Sequence, residues 1–226
     1  MKIEYLDHVA LWVHDRDQLA TFLISHLGMH EIDRTDTFTI VGADARRGKL
    51  TLFADETPRE PGQLVRVVLR VGDLERALGQ LPRDLPVSRP HPSLASFEGP
   101  QRLGLGLIET GGVEFDIDHV VLRVPEPALT RKRLADFGFT LEGERLRAGD
   151  AHLLLEQGPP FEGDRALLNH FGLRVESAAE HIEEARRRGL EIDDIVDAPN
   201  TYAVFVYGPD RIRLEYVEHK ASFSLV

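Results

Sequence analysis

The stretch Asn169-His170-Phe171-Gly172-Leu173-Arg174-Val175 decides how this chain is read, because its core is one of four copies. His170 to Val175 matches His119-Val-Val-Leu-Arg-Val124, Arg66-Val-Val-Leu-Arg-Val71 and His8-Val-Ala-Leu-Trp-Val13, at intervals of roughly 51–58 residues. Each copy is short, alternating and rich in β-branched residues, so each is expected to be a strand. A repeat of this length is a supersecondary unit that buries its apolar face only by packing on another copy.

Outward from each strand the pattern becomes helical. The expected helices run from Asp15 to Leu27, Asp73 to Leu81, Glu126 to Phe137 and Ser177 to Arg188. Gly28, Gly138 and Gly189 follow three of them, where glycine supplies the left-handed C-terminal cap. Further strands are expected at Phe38–Val41, Lys49–Phe53, Gly104–Ile108, His152–Glu156, Ala203–Tyr207 and Arg211–Val217, the last two joined by Gly208-Pro209-Asp210. The expected fold is α+β, with four βαβββ modules paired into two domains with curved mixed sheets. The boundary is placed at Thr110-Gly111-Gly112, giving domains 1–112 and 113–226.

Composition narrows the function. With no cysteine, thiolate nucleophiles, disulfides and zinc–thiolate sites are excluded, and a cytoplasmic location is expected. A net charge of −11 argues against nucleic-acid and anionic-membrane partners. The basic run Arg186-Arg187-Arg188 is read as complementing a helix dipole. No apolar run approaches the roughly 20 residues of a membrane span, and no secretory signal is expected at the N-terminus. Metal ligands must come from the ten histidines and the carboxylates.

Strand parity gathers such residues. His119, Val121 and Arg123 share one face of their strand; His170, Gly172 and Arg174 share one face of theirs; and Arg213, Glu215 and Val217 alternate with Ile212, Leu214 and Tyr216. Two imidazoles and a carboxylate, His119, His170 and Glu215, form the expected metal set, the facial-triad composition that leaves neighbouring positions open. The matching positions of the N-terminal half are His8, Arg66 and Gly106. Arg66 cannot ligate a metal, so His8 is expected to be structural and that half metal-free. Arg123, Arg174 and Arg213 are candidate anchors for an anionic substrate group.

On these residues, and on Phe205-Val-Tyr-Gly-Pro-Asp210 and Leu214-Glu215-Tyr216, the chain resembles the vicinal oxygen chelate (glyoxalase/bleomycin resistance protein/extradiol dioxygenase) superfamily. The resemblance implies a metal-dependent enzyme acting on a small molecule, with a homodimer as a further expectation. Two chemistries stay open. A ring-cleaving extradiol dioxygenase would act on a catechol-like diol with Fe2+ or Mn2+ on two His and one Glu. Its acid–base histidine falls at His152. Its tyrosine falls at Phe205, with Tyr202 and Tyr207 beside it and Tyr207 carried as the candidate; its second histidine, expected near Val196, is missing. A glyoxalase I-like lyase or isomerase would add Glu156 as a fourth ligand to Zn2+ or Ni2+ and work through an enediolate. A non-catalytic drug-binding protein is the third reading.

Overall fold

The computed structural model describes residues 1–44 and 46–223. Four βαβββ modules follow one another along the chain. The first comprises β1 (Tyr5–Val13), α1 (Arg16–Leu27), β2 (His30–Arg34), β3 (Phe38–Gly42) and β4 (Lys49–Ala54). The second comprises β5 (Leu64–Val71), α2 (Leu74–Leu78), β6 (Val87–His91), β7 (Leu94–Glu98) and β8 (Gly104–Glu109). In the third are β9 (Ile117–Val124), α3 (Pro127–Ala135), β10 (Thr140–Glu142), β11 (Arg145–Ala148) and β12 (Ala151–Gln157). The fourth holds β13 (Leu168–Arg174), α4 (Ala178–Arg188), β14 (Ile192–Asp197), β15 (Thr201–Tyr207) and β16 (Arg213–His219).

The local signals act as their chemistry requires. Asp15 and Ser177 accept hydrogen bonds from the backbone N–H of Gln18 (2.9 Å) and Glu180 (3.3 Å), satisfying N-terminal amides of α1 and α4. Gly28 and Gly189 close those helices with φ of 61° and 64°, a conformation costly for any residue with a Cβ. Arg186, Arg187 and Arg188 occupy the last turn of α4, where positive charge meets the helix's negative end. The Arg211–Val217 strand begins at Arg213 instead, because Pro209–Arg211 forms a 3-10 turn. Strands β6, β10 and β14 are sheet edges with almost wholly exposed side chains, so their sequences carry no buried/exposed alternation.

The modules pair differently from the expected division into halves. One eight-stranded sheet has the order β14-β15-β16-β13-β1-β4-β3-β2, joining the first module to the fourth. The other has the order β10-β11-β12-β9-β5-β8-β7-β6, joining the third to the second. The expected 112/113 boundary therefore falls inside the second sheet, in the link between β8 and β9. Each module leaves its first strand as an open edge, and any other first strand can close it. Here β1 closes on β13 and β5 on β9, both antiparallel. The two crossing links run side by side: Glu60 bridges to Ala166, and Arg165 reaches Asp55 at 2.8 Å.

Alternation then fixes the faces. Val9, Leu11 and Val13 of β1 are fully buried with Leu19, Leu23 and Leu27 of α1 in the core. Such a side chain contributes roughly 1.5–3 kcal/mol by leaving water. The intervening His8 and Trp12 project to the opposite, concave face.

Candidate metal centre

The concave face of the first sheet encloses a cavity of about 480 Å³ lined by residues of its first and fourth modules, with His8, His170 and Glu215 in its wall. In the antiparallel register of β1 and β13, His8 stands opposite Gly172 and His170 opposite Ala10. Glu215 of β16 lies beside Gly172 in the parallel register of β13 and β16. The absence of a side chain at Gly172 is what admits His8: a Cβ there would lie 2.2 Å from the imidazole Cε1.

Three donor atoms converge. His8 Nε2 lies 3.0 Å from His170 Nε2, and Glu215 Oε2 lies 3.1 Å from each of them. Donors about 2.0–2.2 Å from a divalent ion and at right angles to one another stand about 2.8–3.1 Å apart, so the triangle fits one face of an octahedral ion. Glu215 Oε2 is buried and accepts no well-directed hydrogen bond. The far ring nitrogens are held from behind, His8 Nδ1 by Asp7 Oδ2 at 2.9 Å and His170 Nδ1 by Asn169 Oδ1 at 3.0 Å. That outer support leaves both Nε2 atoms aimed at one point. The residues fit a divalent metal.

The electrostatics follow from burial and contact. Burial resists charging His8, but the carboxylates of Asp7 and Glu215 outweigh it and raise the imidazole to about 9. His170 is lowered to about 4, because burial exceeds the pull of Glu215 and the charge of His8 adds to it. Burial would raise Glu215, yet the two imidazoles bring it to about 2. Asp7 is held well below the ordinary carboxylate range: His219, His8 and Lys49 together overcome its desolvation. Lys49 Nζ stands 2.8 Å and His219 Nε2 3.2 Å from that carboxylate.

Of the expected ligands, His170 and Glu215 are at the centre, and His119 and Glu156 are not. His119 lies in the second sheet opposite Val68, beside His152, with Nδ1 2.6 Å from Asp118. Glu156 pairs with Arg66 at 3.1 Å and Arg123 at 4.0 Å. His152 faces Glu142 at 3.5 Å in that same sheet. Tyr207 lies outside the cavity wall, with the Arg211 guanidinium 3.8 Å from its ring centre. Arg174 faces Glu4 at 3.8 Å and is likewise absent from the wall, whereas Arg213 is part of it. His8, expected to be structural, is the third ligand-type residue among the described residues. The reason for the exchange is the module pairing, which brings the first module and not the third against β13.

A pseudo-twofold relation within the sheet locates the position a fourth ligand would take. It exchanges His8 with His170 and Ala10 with Gly172. Glu215 is the parallel neighbour of Gly172, and Thr51 of β4 is the parallel neighbour of Ala10. Thr51, a buried neutral hydroxyl lining the cavity, stands where a symmetric second carboxylate would be.

Residues 5–83 match the family model of the Glyoxalase/Bleomycin resistance protein/Dioxygenase superfamily, and the whole chain has the two-domain fold of glyoxalase- and dioxygenase-like proteins. A candidate dioxygenase from Bacillus subtilis subsp. subtilis str. 168 superposes with a TM-score of 0.77 at 16% identity, covering 96% of this chain and 86% of that one. Glyoxalase I from Zea mays superposes with a TM-score of 0.72 at 15% identity over 95% of this chain and 92% of that one. The cppA protein of Streptococcus pneumoniae TIGR4 gives 0.64 at 16% identity over 96% and 100%. No curated protein matches the sequence. No helix among the described residues is long and apolar enough to cross a membrane.

Proposed function

We propose that this protein is a divalent-metal enzyme of the extradiol dioxygenase type, holding Fe2+ or Mn2+ on His8, His170 and Glu215 and acting on a small catechol-like diol. The observation that carries the reading is the three-donor face with Thr51 in place of a second carboxylate. A glyoxalase-type set takes one ligand from the first and one from the last strand of each paired module, and here the first module supplies only His8. The two-His, one-carboxylate set leaves more positions for exogenous oxygens than a four-ligand set does. When bound, the ion supplies Lewis acidity and adjacent open positions at which two vicinal oxygens and dioxygen can meet.

The chain's own residues do the rest. With an ion bound, Asp7 and Asn169 would keep the proton on Nδ1 of each ring and leave the Nε2 lone pair for the metal. Trp12, Phe53 and Phe38 line the cavity in succession, in tilted and edge-on contact with ring centroids 5.5 and 5.8 Å apart, and give a flat ligand an apolar wall. Phe205 packs edge-on against His170 at 5.1 Å from the other wall. His219, whose Nε2 lies 3.2 Å from Asp7 Oδ1, replaces His152 in this reading as the imidazole that takes a substrate hydroxyl proton.

The test is elemental analysis of anaerobically purified protein, followed by oxygen uptake with a panel of catechols. Iron or manganese with diol-dependent oxygen consumption is the expected result. Zinc or nickel, with no oxygen uptake and with turnover of a hemithioacetal, would replace this reading with the lyase one. Protein with no affinity for any of these ions would leave only the binding-protein reading.

A further inference from the structure

Among the described residues, the wall of the cavity that holds the triad carries one lysine and one arginine, and each has a carboxylate partner. Lys49 is buried against Asp7 at 2.8 Å. Arg213 directs Nε and Nη2 to Asp193 Oδ2 at 2.8 and 2.6 Å, and Nη1 to Asn169 Oδ1 at 2.9 Å. Its guanidinium face lies 4.2 Å from the centre of the Phe205 ring. Each of the three guanidinium nitrogens therefore has a protein partner, and one face of the group lies against a ring. Two more carboxylates, Asp33 and Asp194, belong to the same wall and add negative charge to it. The same wall includes Trp12, Phe38, Phe53, Phe205 and Phe223.

We infer that this site selects uncharged aromatic diols and rejects those carrying a carboxylate, and that Asp193 sets the selection by masking Arg213. The inference rests on the diol reading above. A diol's two oxygens are accounted for by the metal centre, so a carboxylate elsewhere on the ring must find its own partner or be buried without one. Burying an unpaired charge is strongly unfavourable. Asp33 and Asp194 in the same wall would repel it. An uncharged ring needs no such partner, and the aromatic side chains of Trp12, Phe38 and Phe53 suit it.

Trp12, the only tryptophan of the chain, lies in that wall and reports occupancy. Protein loaded with Fe2+ and kept free of oxygen is titrated with 4-ethylcatechol and with 3,4-dihydroxyphenylacetate, which differ chiefly by the carboxylate. Trp12 quenching and calorimetry are both recorded. The uncharged diol is expected to bind about tenfold or more tightly than the carboxylated one. Asp193→Asn is expected to strengthen binding of the carboxylated diol by about tenfold while leaving the uncharged one within about twofold. Asp193 is exposed, so this variant is expected to fold. Equal or tighter binding of the carboxylated diol by the unaltered protein would overturn the inference and leave the diol reading standing. An unchanged preference in Asp193→Asn would remove Asp193 from the mechanism of selection. If neither diol binds the metal-loaded protein, the diol reading falls and this inference with it.

Discussion

The two sheets share one architecture and differ at a handful of positions, and those positions decide which of them can hold a metal. In the first, His8 faces Gly172, His170 faces Ala10, and Glu215 flanks Gly172. In the second, His119 faces Val68, Arg66 faces Val121, and Gly106 flanks Val68. The volumes are exchanged: glycine beside glutamate in one sheet, valine beside glycine in the other. Val68 is fully buried and occupies the space that Gly172 leaves for an imidazole, and a Cβ on Gly106 would lie 3.0 Å from a Val68 methyl. The second sheet has Gly106 at the position of Glu215 and Val68 at the position of Gly172. Its remaining polar groups pair with one another, Arg66 with Glu156 and Arg70 with Asp118. A metal site on this fold therefore depends on empty space opposite a histidine as much as on the histidine.

The largest effect expected from this comparison separates His8 from His119. His8→Ala or Glu215→Ala should weaken metal binding by more than the roughly 100-fold that loss of an outer-shell partner costs, while His119→Ala leaves affinity unchanged. Equilibrium competition against a chelator measures both. Loss of metal in His119→Ala with retention in His8→Ala would reverse the assignment. Next in size is Gly172→Val, which copies the second sheet into the first. The new side chain cannot coexist with the present ring of His8, so affinity should fall by about 10- to 100-fold. Overpacking should also destabilise the fold by about 1–3 kcal/mol. Chelator competition and thermal unfolding of the metal-free protein separate the two effects. Undiminished metal affinity in Gly172→Val would show that the gap is not what admits His8.

Much of this was legible in the sequence. Four strand motifs followed by capped helices specified four βαβββ modules, because caps and alternation are local signals. His170 and Glu215 were legible for the same reason: parity places them on one face. The third member of the cluster was not, because it depends on which module closes the open edge of β13, and neighbouring modules in sequence need not be neighbours in a sheet. Two signals were present. Asp7-His8, Asp118-His119 and Asn169-His170 each place an acceptor just before the histidine, marking all three rings as oriented. Gly172 against Val68 then distinguishes a strand that can face a ligating histidine from one that cannot. Lys49, Thr51, Asp193 and His219 carry no sequence signal of their role; only the folded cavity brings them to its wall or to the residues that line it.

The smallest effect sharpens the comparison at the level of protons. In the metal-free protein His8 titrates at about 9 and His170 at about 4, so near neutral pH His8 is charged and His170 is not. Glu215, at about 2, is already ionised. A metal needs both imidazoles neutral, so binding must release one proton, from His8. Affinity should rise about tenfold per pH unit between pH 6 and 8 and level off above about pH 9. Calorimetry in buffers of different ionisation enthalpy reads the proton directly. A slope of two would mean that His170 is charged as well, and a slope of zero that His8 is neutral or is not a ligand. Linkage fixes the sign for the fold. The raised pKa of His8 stabilises the metal-free protein fully below about pH 6.5, and that contribution disappears as pH rises through about 9. The metal-free protein should thus lose thermal stability over that interval, while affinity for the ion rises. The His8→Ala variant should show no such loss, and an unchanged decline in it would assign the transition to another group.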